Sequence, residues 1–162
     1  MGGTAGEYMR TEVVTVRPDL PLSELADVLL RHRIQGAPVV EDGRLVGIIS
    51  RSDVVRQLKV EEERISDSSF YLEPFDADEH RAEDQERVLQ SAASRMPKLC
   101  VGDMMITDLV TVSPETPLDA VARQMLERRV HRVLVTEDGV LHGILSSLDL
   151  VALFAERRVT LR

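Results

Sequence analysis

Shifting the chain by 96 residues superposes Tyr8–Leu58 on Met104–Phe154 without a gap, and 21 of the 51 pairs are identical. Unrelated chains share far less, so the chain carries an internal duplication. The matches run through the whole unit: VTVRPDLPL against VTVSPETPL, the EDG tripeptides, and SRSDVV against SSLDLV. Whatever one copy folds into, the other must fold into as well. A unit of about 50 residues is too small to bury both faces of its helices and sheet unaided. Two copies are also too few for a solenoid, which predicts a closed pseudo-two-fold pair. The organisation read from the chain is repeat one over 8–58, an insertion over 59–102 and repeat two over 103–155.

Each copy has the same local pattern. A β-rich run (Val13–Val16; Leu109–Val112) stops at a proline. A helix follows, opened by Pro21 or Pro117 in the first turn, where the missing N–H costs nothing. Thr116 is a good N-cap residue, and Leu20 a poor one. Leu22, Leu25, Ala26, Leu29 and Leu30 form a helical stripe, matched by Leu118, Val121, Ala122, Met125 and Leu126. Two strands, Ala37–Val40 and Leu45–Ile49, are joined by Glu41-Asp42-Gly43-Arg44, a hairpin signal repeated at Glu137-Asp138-Gly139. A last helix starts after Ser50 or Ser146. The unit reads β-α-β-β-α, a mixed α/β (α+β) class.

The insertion differs in character. It holds 11 acidic and 6 basic residues, so most of the formal charge of −8 resides there. Residues 77–94 read as an exposed helix ending before Pro97, with Phe70, Leu72 and Phe75 able to tack it to the body. A solvated linker and a partner-binding insertion are both open for it. The acidic balance, and an aromatic content of 3% without Trp, exclude a protein that grips polymeric nucleic acid. One Cys cannot form an internal disulfide or a cysteine zinc site. No apolar run approaches membrane-spanning length, and MGGTAGEYMRTE lacks the pattern of a signal peptide. The expectation is a soluble cytoplasmic protein with no membrane association.

Two clusters could carry chemistry. In Gly47-Ile-Ile-Ser50-x-x-Asp53 and Gly143-Ile-Leu-Ser146-x-x-Asp149 a strand ends at a serine and a helix begins, so backbone N–H groups face a place suited to an anion. A carboxylate one turn in can accept two hydrogen bonds from a vicinal diol such as that of ribose. Ser-x-x-Asp is equally a capping box, and the two roles coexist only if the carboxylate also turns outward. His131-Arg132, where the first copy has Gln35-Gly36, offers a fork for phosphate. Arg128 and Arg129 nearby fit the basic end of a helix. His80 among Asp76, Asp78, Glu83 and Asp84 resembles a metal cluster in composition only, and the expectation is that the chain has no metal site. Cys100 reads as a small hydrophobe, and Met104-Met105 as core. No GxSxG, HExxH or Walker loop is present, and no nucleophile, base and orienting group can be named, so the expectation is that the chain is no enzyme.

The repeat resembles the CBS domain and the pair a Bateman module. The carriers are VTV-x-P-x-x-P-L, GAPVV at Gly36–Val40, the DG hairpin and the G-I-[IL]-S-x-x-D ending, each present at one offset over about 100 residues in total. The resemblance implies a regulatory module that requires no cofactor. Such a module binds adenosine compounds (AMP, ADP or ATP, with S-adenosylmethionine or NAD as further options) in clefts between the repeats. It implies that Asp53 and Asp149 hold ribose hydroxyls, with Ser50 and Ser146 beside them, and that Val14 and Val110 line the adenine pocket. It further implies that His131 and Arg132 contact phosphates in the cleft whose ribose acid is Asp53, while Gln35 and Gly36 border the other with Asp149. Leu134 stands where copy one has Pro38, and Gln35-Gly36 lacks the cation, so unequal clefts are expected. A homodimer and an unnamed regulated protein are the implied partners. The competing reading is a structural or interaction protein with vestigial clefts that acts through the 59–102 insertion.

Overall fold

A computed structural model of the chain describes residues 2–59, 87 and 98–156, with the side chains of 56–59 left aside. The helix expected over 77–94 (save Arg87, which is helical and exposed), Phe70, Leu72, Phe75 and the His80 cluster lie outside the described residues. The described elements are, in chain order, α1 (Ala5–Tyr8), α2 (Leu22–His32), β1 (Gly36–Glu41), β2 (Arg44–Ser50) and α3 (Arg51–Lys59). After the insertion come α4 (Val101–Met104), β3 (Thr111–Val112), α5 (Leu118–Arg128), β4 (Arg132–Glu137), β5 (Val140–Ser146) and α6 (Ser147–Ala155). The class is α+β with small sheets; the expected β-α-β-β-α order is complete in copy two, whereas the first strand of copy one is reduced to an isolated bridge at Val16.

The chain divides into two compact units that cut across the repeats. One is Val14–Asp108; the other joins Met1–Val13 to Leu109–Arg162. In the first, Leu22, Leu25, Ala26 and Leu29 of α2 are buried with Ala37 and Val39 of β1, Ile49 of β2 and Val54 of α3. Each leucine so buried contributes about 2 kcal/mol. In the second, Leu118, Val121 and Met125 of α5 are buried, as are Val133–Val135 of β4. The stripes are narrower than expected. Leu30 is 51% exposed and Leu126 is 79% exposed. Each sits about 90° round its helix from the centre of the buried stripe.

Both hairpins turn as the EDG tripeptides require. Asp42 and Gly43 have φ of 49° and 79°, and Asp138 and Gly139 have 51° and 79°. Two consecutive positive φ values make a two-residue type I′ turn, whose twist matches that of the strands. A register shift follows in each pair, between Val39 and Val40 and between Val135 and Thr136.

The prolines stand at the N-cap, one place earlier than expected, and Thr116 does not cap α5. Its Oγ1 instead accepts the N–H of Ser113 at 3.0 Å. The first N–H of each helix is satisfied by an arm from elsewhere in the chain. Leu22 donates to the carbonyl of Leu99, and Leu118 to that of Gly3, both at 3.1 Å. These arms precede each repeat and complete the unit built on the other. In the arm 4–10, Ala5 donates to the Thr116 carbonyl and Arg10 exchanges both backbone hydrogen bonds with Ile144, at 2.9 and 3.0 Å. The arm 100–106 repeats this at the same offset. Val101 donates to the Leu20 carbonyl, and Ile106 exchanges both bonds with Ile48 at 2.8 and 2.9 Å. Cys100 is no mere hydrophobe there, because it opens α4. Its N–H and thiol both donate to Asp103 Oδ2, at 2.9 and 3.1 Å, and the N–H first, then the thiol, hold that carboxyl below its usual pKa. Met104 is buried as expected, and Met105 is half-buried with its sulfur over Gly47.

Pro38 explains one inequality between the copies. Leu134 donates its N–H to the Val110 carbonyl at 3.1 Å, and β3 pairs with β4 in parallel over Thr111–Val112. Proline has no N–H to give. In copy one the parallel pairing is therefore a single bridge between Val16 and Val39.

The arms lie so close that glycine is required beneath them. A Cβ on Gly143 would sit 2.7 Å from both the Arg10 carbonyl oxygen and Met9 Sδ. On Gly47 it would meet Met105 Sδ at 2.7 Å but the Ile106 carbonyl only at 3.2 Å. A flexible methionine can move aside, whereas a paired backbone cannot. Gly143→Ala is expected to cost about 2–3 kcal/mol of stability and Gly47→Ala about 1 kcal/mol, read by urea denaturation. Equal losses, or the larger loss at Gly47, would contradict this account of the arms.

Candidate functional site

The two Ser-x-x-Asp sequences fall where a strand gives way to a helix, β2 to α3 and β5 to α6. In both the serine caps the helix that follows, and the second closes as a full capping box. Ser50 Oγ accepts the Asp53 N–H at 3.1 Å and donates to Asp53 Oδ2 at 2.6 Å. Ser146 Oγ accepts the Asp149 N–H at 3.2 Å, and its own N–H and hydroxyl donate to Asp149 Oδ2 at 2.9 and 2.5 Å. The serine thus satisfies an early helical N–H that has no partner within the helix. One oxygen of each aspartate is committed to this cap.

Each box is tied to the start of the preceding hairpin. Gly36 is the register partner of Ser50, and Arg132 of Ser146. The Arg51 N–H donates to the Gln35 carbonyl at 3.0 Å, and the Ser147 N–H to the His131 carbonyl at 2.8 Å. Within the first unit the fold therefore gathers Gln35, Gly36, Ser50 and Asp53. Within the second it gathers His131, Arg132, Ser146 and Asp149. Val110 is buried and Val14 half-buried on the run that pairs with β4 or β1. His131 is exposed and Arg132 half-buried. Gln35 Oε1 is shielded from solvent and accepts no hydrogen bond among the described residues.

The two aspartates differ in surroundings. Asp53 is 2% exposed, and Ser50, Arg51 and Ser52 beside it are buried too. The Asp149 side chain is 14% exposed and forms an ion pair with Arg10. Arg10 Nε and Nη2 both donate to Asp149 Oδ1, at 2.9 and 2.5 Å. Arg10 is the site residue that reading along the chain overlooks. Its signal was its offset partner, Ile106, an apolar residue opposite a cation. Among the described residues no group of three or more His, Cys, Asp or Glu could hold a metal ion. No helix among them is long and apolar enough to cross a membrane.

The sequence profile of the CBS domain matches residues 5–60 and 101–156. CBSX2, a chloroplastic CBS domain-containing protein of Arabidopsis thaliana, is 29% identical over 154 residues, which are 93% of this chain and 63% of CBSX2. The chain thus spans about three fifths of that relative. The uncharacterized protein MJ1426 of Methanocaldococcus jannaschii is 30% identical over 156 residues, covering 90% of this chain and 91% of MJ1426. A crystal structure of CBSX2 in complex with AMP has the same fold, with a TM-score of 0.66 and 24% identity over 98% of this chain and all of that one. So does the CBS domain pair of protein MJ0100 in complex with 5-methylthioadenosine and S-adenosyl-L-methionine, with a TM-score of 0.61 and 21% identity over 95% of this chain and 97% of that one.

The caps carry a stability prediction. Ser146→Ala is expected to cost about 1 kcal/mol, the usual value of an N-cap, because Arg10 still holds the carboxylate. Ser50→Ala is expected to cost about 2 kcal/mol, since a nearly fully buried carboxylate loses its hydroxyl donor. Thermal melts of the two variants check the order. An equal or larger loss at Ser146 would contradict it.

Proposed function

The chain belongs to the CBS domain family, with two copies of the domain, and from that premise we propose that it is a regulatory module rather than a catalyst. It binds an adenosine nucleotide of the AMP, ADP or ATP class and modulates a partner protein. The observation that carries this reading is the twice-built junction of strand, capping serine and helix-borne aspartate, at equivalent places in a chain similar to a CBS protein crystallised with AMP. A carboxylate offers about four lone-pair positions, so an aspartate that caps a helix through one oxygen can still receive a diol.

In this proposal Asp53 and Asp149 take ribose hydroxyls, with Ser50 and Ser146 beside them, and Val14 and Val110 line adenine. Arg132, with His131, receives phosphate. Gln35 and Gly36 border the other of the two sites and offer phosphate no charged partner. S-adenosylmethionine and NAD are further candidates, because they share the adenosine half. Dimerisation would cover Leu126, Leu148 and Val151, which stand exposed on α5 and α6.

Calorimetry with AMP and ATP tests the assignment. Charge-assisted hydrogen bonds contribute about 1.5–3 kcal/mol, so Asp53→Ala should weaken the tighter site about 10- to 100-fold, and Arg132→Ala should weaken nucleotide binding by a similar factor. Asp149→Ala should leave that site unchanged. Equal losses from the two aspartate changes would contradict unequal sites. No heat with AMP, ADP, ATP, NAD or S-adenosylmethionine would turn the reading to an interaction protein acting through residues 59–102.

A further inference from the structure

We propose that Arg10 is a built-in competitor for the Asp149 carboxylate, which a ligand must displace before its ribose can bind there. The proposal rests on the reading of Asp149 as a ribose acid. The carboxylate is full. Oδ1 accepts Nε and Nη2 of Arg10, at 2.9 and 2.5 Å, and Oδ2 accepts the N–H and hydroxyl of Ser146, at 2.9 and 2.5 Å. Four donors match the roughly four lone-pair positions a carboxylate has. A vicinal diol has nowhere to donate unless one pair of donors leaves. The Ser146 donors belong to the cap of α6, whereas the Arg10 guanidinium, carried on the arm, has no hydrogen-bond partner among the described residues except this oxygen.

The other copy shows that the fold does not need this ion pair. Ile106 occupies the same seat on β2 that Arg10 occupies on β5, with the same two backbone hydrogen bonds, and its side chain has no donor. The seat is set by the backbone and its occupant is free to vary. Asp53 therefore has no guanidinium delivered from the arm.

The latch is built to open. The Arg10 side chain is 58% exposed and the Asp149 side chain 14% exposed. An ion pair whose cation stands largely in water is weak, and its guanidinium can return to solvent while the arm stays paired. An exposed pair of this kind lowers the apparent affinity of a competing ligand by about two- to five-fold. The Asp149 site is thereby set to fill at a higher nucleotide concentration than it would with an apolar residue on the arm, so its threshold is tuned without a change of fold.

The experiment is an AMP titration of the full chain by calorimetry, comparing wild type, Arg10→Ile, Asp149→Ala and the double variant. Arg10→Ile installs the residue the other arm already carries. It should tighten the weaker site about two- to five-fold, leave the tighter site unchanged, and have no effect in the Asp149→Ala background. In the wild-type protein, the Arg10 Nε–Hε resonance should shift as the weaker site fills and hold still as the tighter one fills. Unchanged or weakened binding in Arg10→Ile, or a resonance indifferent to the second equivalent of AMP, would overturn the competitor while leaving the nucleotide reading standing. Absence of AMP binding in every protein would overturn both.

Discussion

Four backbone hydrogen bonds hold the architecture in the form described. They are the reciprocal pairs that Arg10 makes with Ile144 and Ile106 makes with Ile48. Each seats an arm along the edge of a hairpin whose N–H and C=O groups would otherwise be open to any passing strand. The same arms bring carbonyls to the first N–H of α2 and α5, helices that start without a side-chain cap. A folding unit is therefore one repeat plus the arm that precedes the other. Because the pairing puts Arg10 two residues before Ser146 on the facing strand, it also decides which side chain meets Asp149.

Much of this was legible along the chain, wherever a rule links residue type to local geometry. The Asp-Gly pairs demand consecutive positive φ values, and Leu22, Leu25, Ala26 and Leu29 repeat at helical spacing. The Ser-x-x-Asp sequences close the caps their spacing allows. The arms were not legible, because a four-residue helix has no periodicity to read and its stability comes from tertiary contact. Thr116 misled for a related reason: a better partner, Ser113, lies within the preceding turn. The site was half-legible. Its serines and aspartates stand at the junctions expected of them, but Arg10 acts across 139 residues of chain, beyond the reach of any local pattern.

Duplication makes the differences between copies as informative as the matches. Pro38 against Leu134 removes one parallel hydrogen bond and shortens a strand to a single bridge. Gln35-Gly36 against His131-Arg132 changes charge at the start of a hairpin. Ile106 against Arg10 leaves one arm without a guanidinium. The helices and hairpins keep their order in both copies, and all three substitutions fall at or beside the junctions where the serines and aspartates sit. One backbone plan thus carries two chemically distinct junctions, which suits a module that reads a ligand at more than one concentration.

Native mass spectrometry of the intact chain across an AMP titration tests that inequality most directly, because it counts ligands on each molecule. The account predicts that the singly loaded species climbs well above the half of all molecules that two equal sites allow before the doubly loaded species dominates. A statistical distribution of none, one and two ligands at every concentration would mean that the two junctions are equivalent, and would contradict it.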